Sequence, residues 1–258
     1  GPAAGHGHGR FVASVPQPRG PAEHGWEASA RAWVELIDQG DPSRERLLDP
    51  VMLRLCGDVA VRRVVDIGCG EGRFSRKLAE MGATVASGDL TSLMVRTAHE
   101  RRLPGQDVAR LSADALPFID GCFDLAVSYL VLIDVEDFRS AIAEMARVLK
   151  PGGHAVVANL SFMSVNTGWV RDEAGKRLHY PVDRYLEERP IELSWAGLSI
   201  TNWHRPLGAY MAAFLGSGFR LRDFLEPMPE DDSLREDPYF EDWYRVPNFI
   251  VMRWEKAG

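Results

Sequence analysis

The segment Val64–Ser75, VVDIGCGEGRFS, constrains the fold more than any other part of the chain. A run of β-branched residues ends in Asp66, and glycine then occupies every second position at Gly68, Gly70 and Gly72. Glycine permits backbone angles and close approaches that a Cβ atom would forbid, so a ligand can lie against a glycine-rich turn between a strand and a helix. The segment therefore predicts a strand, a turn and a helix, with a ligand at the turn.

The unit of apolar strand, turn and amphipathic helix recurs along the middle of the chain, which is typical of a parallel α/β sheet. The predicted strands are 64–67, 84–88, 108–112, 123–130 and 154–160, and the helices between them are 74–81, 92–101 and 137–149. Helical spacing predicts two helices before the first strand, and a later helix at 206–215 precedes strands at 219–225 and 248–254. Ligands of open α/β sheets bind beyond the carboxyl ends of the strands, where the strand order reverses.

Composition and charge exclude several classes of protein. The chain has 258 residues, of which 45% are hydrophobic, enough for one domain with a complete core. Its formal charge of -7 argues against a nucleic-acid partner, since phosphate binding calls for a clustered basic face. No window approaches the roughly 18 apolar residues of a membrane span. The three cysteines have no paired spacing that suggests a disulfide framework or a zinc site. We expect a cytoplasmic monomer or homodimer without a nucleic-acid or membrane partner.

Two segments differ from the repeated unit. Residues 1–25 are dense in Gly, Pro, Ala and His, a composition that cannot bury enough apolar surface to order itself, and they are predicted to form a flexible tail. Residues 26–258 are predicted to form one domain. Within it, the alternation of strands and helices lapses over 161–205, which we interpret as an insertion after the fifth strand.

The spacing of the glycines separates two kinds of cofactor. A dinucleotide fingerprint, G-x-G-x-x-G, needs glycine at the position that Arg73 occupies. The pattern here is G-x-G-x-G, which disfavours a nicotinamide cofactor. Taken alone, the pattern also fits a tight structural turn without a ligand.

The motifs around and after the glycines are more specific than the glycine spacing. The run VVDIGCGEGRFS resembles motif I of the class I S-adenosylmethionine-dependent methyltransferases, and further motifs follow in the order of that family. Asp89 ends the segment TVASGD, and Asp114 lies in the segment LSADALPF. The family's fourth strand and its loop match FDLAVSYLVLIDVED, and the turn before its fifth strand matches EMARVLKPGG. The resemblance covers about 26–254 and is closest to the small-molecule branch called methyltransferase type 11.

This resemblance implies a fold in the α/β class. The sheet is expected to be Rossmann-like, seven-stranded and mostly parallel with helices on both faces, and 248–254 would be its antiparallel strand. The N-terminal helices and the insertion at 161–205 are expected to cover the acceptor site.

The resemblance also implies S-adenosylmethionine as cofactor and a role for each matching residue. Gly68, Cys69 and Gly70 would line the methionine part, Asp89 and Leu90 the ribose, Met94 one face of the adenine, Asp114 and Ala115 its amino edge, and the main chain of Ser128 the amino acid end. An acid at a strand's carboxyl end, such as Asp89, can accept both ribose hydroxyls. Met94 also fits a core position. Asp66 either organises the loop through backbone amides or contacts the ligand amine.

The insertion carries the candidate acceptor residues. Its aromatic residues predict an apolar pocket or, alternatively, a cap on the sheet; they are Phe162, Trp169, Tyr180, Tyr185, Trp195 and Trp203, with Met163 beside the first. His204 is the candidate base or acceptor anchor because an imidazole titrates near neutral pH. Its alternative role is a bond to a backbone carbonyl at the start of a helix. Paired acids, such as Asp134 with Glu136, lack the spacing of an oxygen-ligand loop, so no metal is predicted.

These features together predict methyl transfer to the O, N or C atom of a small, largely apolar metabolite. The alternative is a pseudoenzyme or regulator that binds S-adenosylmethionine without transfer. A cavity plugged by Trp195, Trp203 or Tyr180 would favour that alternative, whereas a roomy cavity beside the cofactor would favour an enzyme.

Overall fold

A computed structural model describes residues 25–161, 168–229, 236 and 238–258. Its strands are β1 (Arg63–Ile67), β2 (Thr84–Asp89), β3 (Gln106–Arg110), β4 (Phe123–Tyr129), β5 (Leu149–Leu160), β6 (Val170–Arg171), β7 (Arg177–His179), β8 (Arg189–Trp195), β9 (Leu198–His204), β10 (Phe219–Leu225) and β11 (Phe249–Lys256). Its α-helices are α1 (Trp26–Asp38), α2 (Asp49–Cys56), α3 (Arg73–Glu80), α4 (Ser92–Arg101), α5 (Phe138–Val148) and α6 (Leu207–Gly216). A π-helical segment, Ser43–Leu48, leads into α2, and a 3₁₀ helix, Pro238–Tyr244, precedes β11.

Seven strands form one sheet in the order β10-β11-β5-β4-β1-β2-β3. The strands β5, β4, β1, β2 and β3 pair in parallel. Strand β11 is antiparallel to both of its neighbours, β5 and β10. The order reverses at β1, which has β2 on one side and β4 on the other. The predicted Rossmann-like, mostly parallel sheet is confirmed, including its antiparallel strand near 248–254.

Helices cover both faces of the sheet because successive side chains of β1 point in opposite directions. Val64 belongs to a buried cluster with Met52 of α2 and Leu78 of α3. Its neighbour Val65 belongs to another buried cluster, with Met145 of α5. Burial on both faces explains why β1 is continuously apolar up to its acid.

Two predicted boundaries shift for reasons of backbone pairing. Helix α5 ends at Val148, and Leu149 is already extended and pairs with Phe123, so the KPGG turn lies inside β5 rather than before it. Strand β3 spans 106–110 instead of 108–112, since Gln106 pairs with Val85 while Ser112 forms a separate bridge with Ala115.

The insertion contains two hairpins, β6–β7 and β8–β9, where the sequence indicated only a lapse in the repeated unit. Ala196 and Gly197 join β8 to β9, and both have positive φ, 46° and 81°. Those angles suit the tight two-residue turn that matches the twist of the flanking strands. Strand β8 was not predicted because its charged and proline residues obscure the alternation of apolar and polar positions.

Some predictions fall on residues that the structure does not describe. These are residues 1–24 of the predicted tail, and Phe162 and Met163 at the start of the insertion. Among the described helices, none is long and apolar enough to span a bilayer.

Gly88 of β2 provides a test of the packing beneath the site. A Cβ atom there would lie 2.5 Å from the carbonyl oxygen of Ala109 and would also strike the Leu111 side chain. Gly88→Ala is therefore expected to lower the free energy of unfolding by about 1–3 kcal/mol through overpacking, measured by urea denaturation. The matched control is Gly208→Ala in α6, where nothing lies within 4 Å of the added atom. That variant is expected to change stability by less than about 1 kcal/mol, since alanine favours helix. Equal stabilities of the two variants would contradict the packing.

Candidate cofactor and acceptor site

A cavity of about 440 Å³ opens at the carboxyl ends of the parallel strands, where the strand order reverses. That volume is typical of small-molecule sites. One part of its wall comes from the residues that follow β1, β2 and β3. The other part comes from α1, from the segment after β4 and from the β8–β9 hairpin. The cavity thus lies where the sequence predicted a ligand.

The loop after β1 is tied to the end of β2 by three backbone amides. The amides of Gly68 and Cys69 donate to the Gly88 carbonyl at 2.8 and 3.0 Å, and that of Gly70 donates to Asp89 Oδ2 at 3.1 Å. Gly68 has a φ of 69°, and a Cβ atom there would lie 2.5 Å from the Val131 side chain. A side chain at Gly68 is excluded by its backbone angle and by Val131. This residue belongs to the segment that follows β4, here called the β4 exit.

Asp89 ends β2 and faces the cavity, as predicted. Besides accepting from Gly70, its carboxylate accepts from the amide of Thr91 at 2.9 Å. Each carboxylate oxygen has two lone pairs, so these bonds leave acceptor capacity for a ligand's hydroxyls. The same wall contains the exposed Leu90, the buried Met94 and the exposed Asp114.

Asp66 lines the cavity at the end of β1 and is almost completely buried. Its carboxylate accepts a hydrogen bond from the Ser75 hydroxyl of α3. Burial raises the pKa of Asp66 to about 7, and the nearby charge of Asp89 adds to the increase. The observed partner of Asp66 is thus a side-chain hydroxyl rather than the loop amides of one predicted role. The other predicted role, contact with a ligand amine, stays a prediction.

Three predicted site residues do not belong to the cavity wall. Ala115 is exposed, and its amide donates a hydrogen bond to the Ser112 carbonyl oxygen in a turn. Ser128 is fully buried inside β4, where its main chain pairs within the sheet. His204 is fully buried, and its Nε2 lies within hydrogen-bonding distance, 2.8 Å, of the Tyr185 carbonyl oxygen.

His204 therefore has the structural role that was its alternative, and the prediction of a base is not supported by its position. Burial lowers the pKa of its imidazole. The side chains of β9 that line the cavity are instead Ile200 and Asn202, which only the tertiary structure shows.

Several residues of the wall were missed by sequence reasoning. Trp26, Trp33 and Ile37 of α1 line the cavity, and the two tryptophan rings pack edge to face with centroids 5.5 Å apart. Their helical spacing is typical of core residues, which is why they gave no functional signal. From the hairpin, Ile200 and Asn202 were also missed.

The aromatic residues predicted for the pocket separate into different environments. Trp195 lines the cavity. Trp203 lies at a small second cavity between the sheet and α6. Trp169 and Tyr180 pack against each other with ring centroids 5.6 Å apart, outside the wall of the large cavity. The insertion thus contributes both to the pocket and to the cap on the sheet.

Two arginines face the cavity beside the glycine loop. Arg73 is held by Asp49 through bonds of 2.6 and 2.8 Å, and the Tyr129 hydroxyl donates to the same carboxylate at 2.8 Å. Arg44 pairs with Asp41, and its guanidinium lies 4.8 Å from the Trp33 ring. A guanidinium has five N–H donors, so the bond to Asp41 does not exhaust Arg44.

Asp134, in the segment after β4, lines the cavity, as do Glu136 and Asp137 of the same segment. Its Oδ1 accepts from Asn202 Nδ2 at 2.5 Å. Burial raises the pKa of Asp134 to about 7, although hydrogen bonds from Trp26 and Asn202 favour the ionised form. In the part of the chain that the structure describes, no three His, Cys, Asp or Glu side chains are grouped so as to hold a metal ion.

The chain is similar to known methyltransferases in sequence. Residues 65–157 match a family described as a methyltransferase domain. A demethylmenaquinone methyltransferase of Beutenbergia cavernae is 31% identical over 187 residues, which cover 68% of this chain and 75% of that protein. One from Renibacterium salmoninarum is 35% identical over 127 residues, covering 49% of this chain and 52% of that protein. For most of the curated relatives compared, the match spans about half of their length.

The fold is shared with solved structures. An S-adenosylmethionine-dependent methyltransferase from Mesorhizobium loti superposes with a TM-score of 0.75 at 29% identity, covering 84% of this chain and 99% of that one. The [4+2]-cyclase SpnF has a TM-score of 0.54 at 19% identity over 81% of each chain, which shows likeness of fold alone. The chain belongs to the S-adenosylmethionine-dependent methyltransferases, and its cofactor is S-adenosylmethionine.

Proposed function

We propose that this protein transfers the methyl group of S-adenosylmethionine to the O, N or C atom of a small, largely apolar metabolite. One observation carries the proposal: a single cavity joins the polar surface around the glycine loop to an apolar surface from α1 and the β8–β9 hairpin. The first surface suits the cofactor and the second suits an apolar acceptor. Transfer requires that both be bound side by side.

The residues of the polar surface fit the cofactor. Asp89 is the acceptor for the ribose hydroxyls with Leu90 beside the ribose, and Met94 and Asp114 contact the adenine. Gly68, Cys69 and Gly70 lie along the methionine part. Arg44 and Asp66, which both face the cavity near this loop, are charged oppositely to the cofactor's carboxylate and ammonium groups.

When bound, the cofactor supplies a sulfonium methyl group that is already an activated electrophile. The protein's part is to hold the acceptor in line with the methyl group and to exclude water. The rings of Trp26, Trp33 and Trp195, with Ile37 and Ile200, form the surface that would do both. Aromatic walls of this kind bind flat, apolar molecules.

The same cavity favours an enzyme over a pseudoenzyme. Trp195 is part of the wall without filling the space, and Trp203 and Tyr180 lie elsewhere. Relatives named for demethylmenaquinone and for malonyl-[acyl-carrier protein] differ in their acceptors. The acceptor of this chain is therefore argued from its own wall, and its cytoplasmic location and its state as monomer or homodimer stay predictions.

Asp89→Ala tests the cofactor half of the proposal. Loss of the charge-assisted bonds to the ribose is expected to weaken S-adenosylmethionine binding about 100-fold in titration calorimetry, since each such bond contributes about 1.5–3 kcal/mol. The matched control is Asp107→Ala, an exposed acid of β3 outside the cavity wall, which should bind as the unmodified protein does. Thermal melting of both variants checks that they are folded. No binding by the unmodified protein would disprove the proposal.

Trp195→Ala tests the acceptor half. The unmodified protein is expected to convert S-adenosylmethionine with a panel of aromatic and alicyclic metabolites, detected by mass as the gain of one methyl group. Trp195→Ala should raise the KM for the acceptor while leaving cofactor affinity unchanged, because it removes apolar contact only. Trp169→Ala, outside the cavity wall, serves as its control. Cofactor binding without transfer to any compound would favour the pseudoenzyme.

A further inference from the structure

The end of β9 holds the backbone of the segment after β4 in place. Arg205 is 3% exposed, and its guanidinium donates to the carbonyls of Leu132, Val135 and Glu136 at 2.9, 2.5 and 2.8 Å. The amide of Trp203 donates to the carbonyl of Ile133 at 2.6 Å. Buried charge-assisted bonds of this kind are the stronger ones in proteins. The segment 132–136 is consequently fixed from the insertion.

The beginning of the same exit is also constrained. Leu130, a residue with a side chain, has a φ of 58°, in a region that surrounding contacts must stabilise. Its amide donates to the Ala158 carbonyl at 2.9 Å. The backbone is thus fixed at both ends of the stretch that presents Asp134.

Asp134 is oriented by two further groups. Asn202, on β9, donates to its Oδ1 at 2.5 Å, and the side chain of Trp26, on α1, is close enough to favour the ionised carboxylate. Both partners are themselves part of the cavity wall, as are the apolar Ile133, Trp195 and Ile200. A carboxylate offers about four lone-pair sites, so the bond from Asn202 leaves it able to accept a proton. Asp134 is therefore an oriented acceptor on a mostly apolar surface.

We propose that Asp134 is the catalytic base for an acceptor that carries a hydroxyl group on a flat, apolar ring. This inference rests on the proposed function and deepens it. The acceptor's O–H bond breaks and its proton moves to the Asp134 carboxylate, while the oxygen forms the new bond to the methyl carbon. The carbon–sulfur bond breaks with its electron pair left on sulfur, so the products are the methyl ether and S-adenosylhomocysteine. Asn202 and Arg205 are positioning residues.

The charges around Asp134 determine how the base depends on pH. Asp89 opposes its ionisation and Arg44 favours it, but burial is the largest effect and raises the pKa to about 7. The other charged residues of the cavity wall are Asp66, Glu71, Arg73, Asp114, Glu136 and Asp137. Below pH 7 the carboxyl group already holds a proton and does not accept another. Transfer to a hydroxyl is therefore expected to rise as the pH passes through 7.

Binding of a matched pair of compounds tests the base without turnover. The protein is saturated with S-adenosylhomocysteine, and the affinities for 2-naphthol and for 2-methoxynaphthalene are measured by calorimetry between pH 5.5 and 8.5. The ionised carboxylate accepts the naphthol proton in a hydrogen bond, so naphthol should bind about tenfold more tightly at the high pH. The methoxy compound has no such proton and should show no pH dependence. In Asp134→Asn the naphthol curve should be flat as well.

A second measurement uses stability and needs neither ligand. The pKa of Asp134 is raised above its usual value near 3.9, so the neutral carboxyl group favours the folded state. That contribution is complete below about pH 3.9 and is lost progressively as the pH rises from there to about 7. Asp134→Asn, which stays neutral, should therefore melt at a higher temperature than the unmodified protein at pH 8.5, with a clearly smaller difference at pH 5. Asp107→Asn should match the unmodified protein at both.

The outcomes separate this inference from the proposed function. Failure to bind S-adenosylhomocysteine would overturn the proposed function. Cofactor binding without naphthol binding, or a naphthol affinity that does not change with pH in the unmodified protein, would overturn the inference alone. Equal effects of pH on the melting of Asp134→Asn and the unmodified protein would also overturn it. With S-adenosylmethionine, methyl transfer to 2-naphthol should fall at least about 100-fold in Asp134→Asn while cofactor affinity is kept.

Discussion

The parallel pairing of β1 with β2 on one side and β4 on the other is the interaction on which the site depends. It places Ile67 beside Gly88 and Ser128, so the three strands end at the same edge. The glycine loop, Asp89 and the β4 exit are then neighbours although they are far apart in the sequence. The Gly88 carbonyl strengthens this arrangement by accepting two amides of the loop. A ligand at this edge contacts three strand ends at once.

One part of the cavity wall is charged and the other is apolar. Burial in this wall changes the pKa values of two of its acids. Asp66 and Asp134 both have pKa values raised to about 7 by burial, and each is held by neutral donors rather than by a paired cation. Arg73, by contrast, is paired with Asp49 through two bonds, and Tyr129 donates to the same carboxylate. A buried acid without a paired cation is costly, and such acids are more often found where function needs them.

For the polar wall of the cavity the sequence predicted individual residues, whereas for the apolar wall it predicted the elements but not most of the side chains, for a physical reason. Gly68, Gly70 and Asp89 lie within a few residues of strand ends, where local backbone geometry and strand order suffice to place them. Trp26 and Asn202 come from a helix and a hairpin whose positions depend on long-range packing. The pattern of the insertion indicated His204, but the side chain that fixes the neighbouring segment is Arg205, just after β9, because its guanidinium reaches three carbonyls of the segment after β4.

The sequence by itself determined the α/β class, the mostly parallel sheet and the glycine loop, and it predicted Asp89 as the acid for the ribose, since these follow from periodicity and from residues adjacent along the chain. Only the tertiary structure decided which side chains form the acceptor wall. It brought Trp26, Asp134 and Asn202 together from α1, the β4 exit and β9, and it buried His204 against a backbone carbonyl. Hydrophobic periodicity states that a residue is buried, but the packing of distant elements determines which surface it faces.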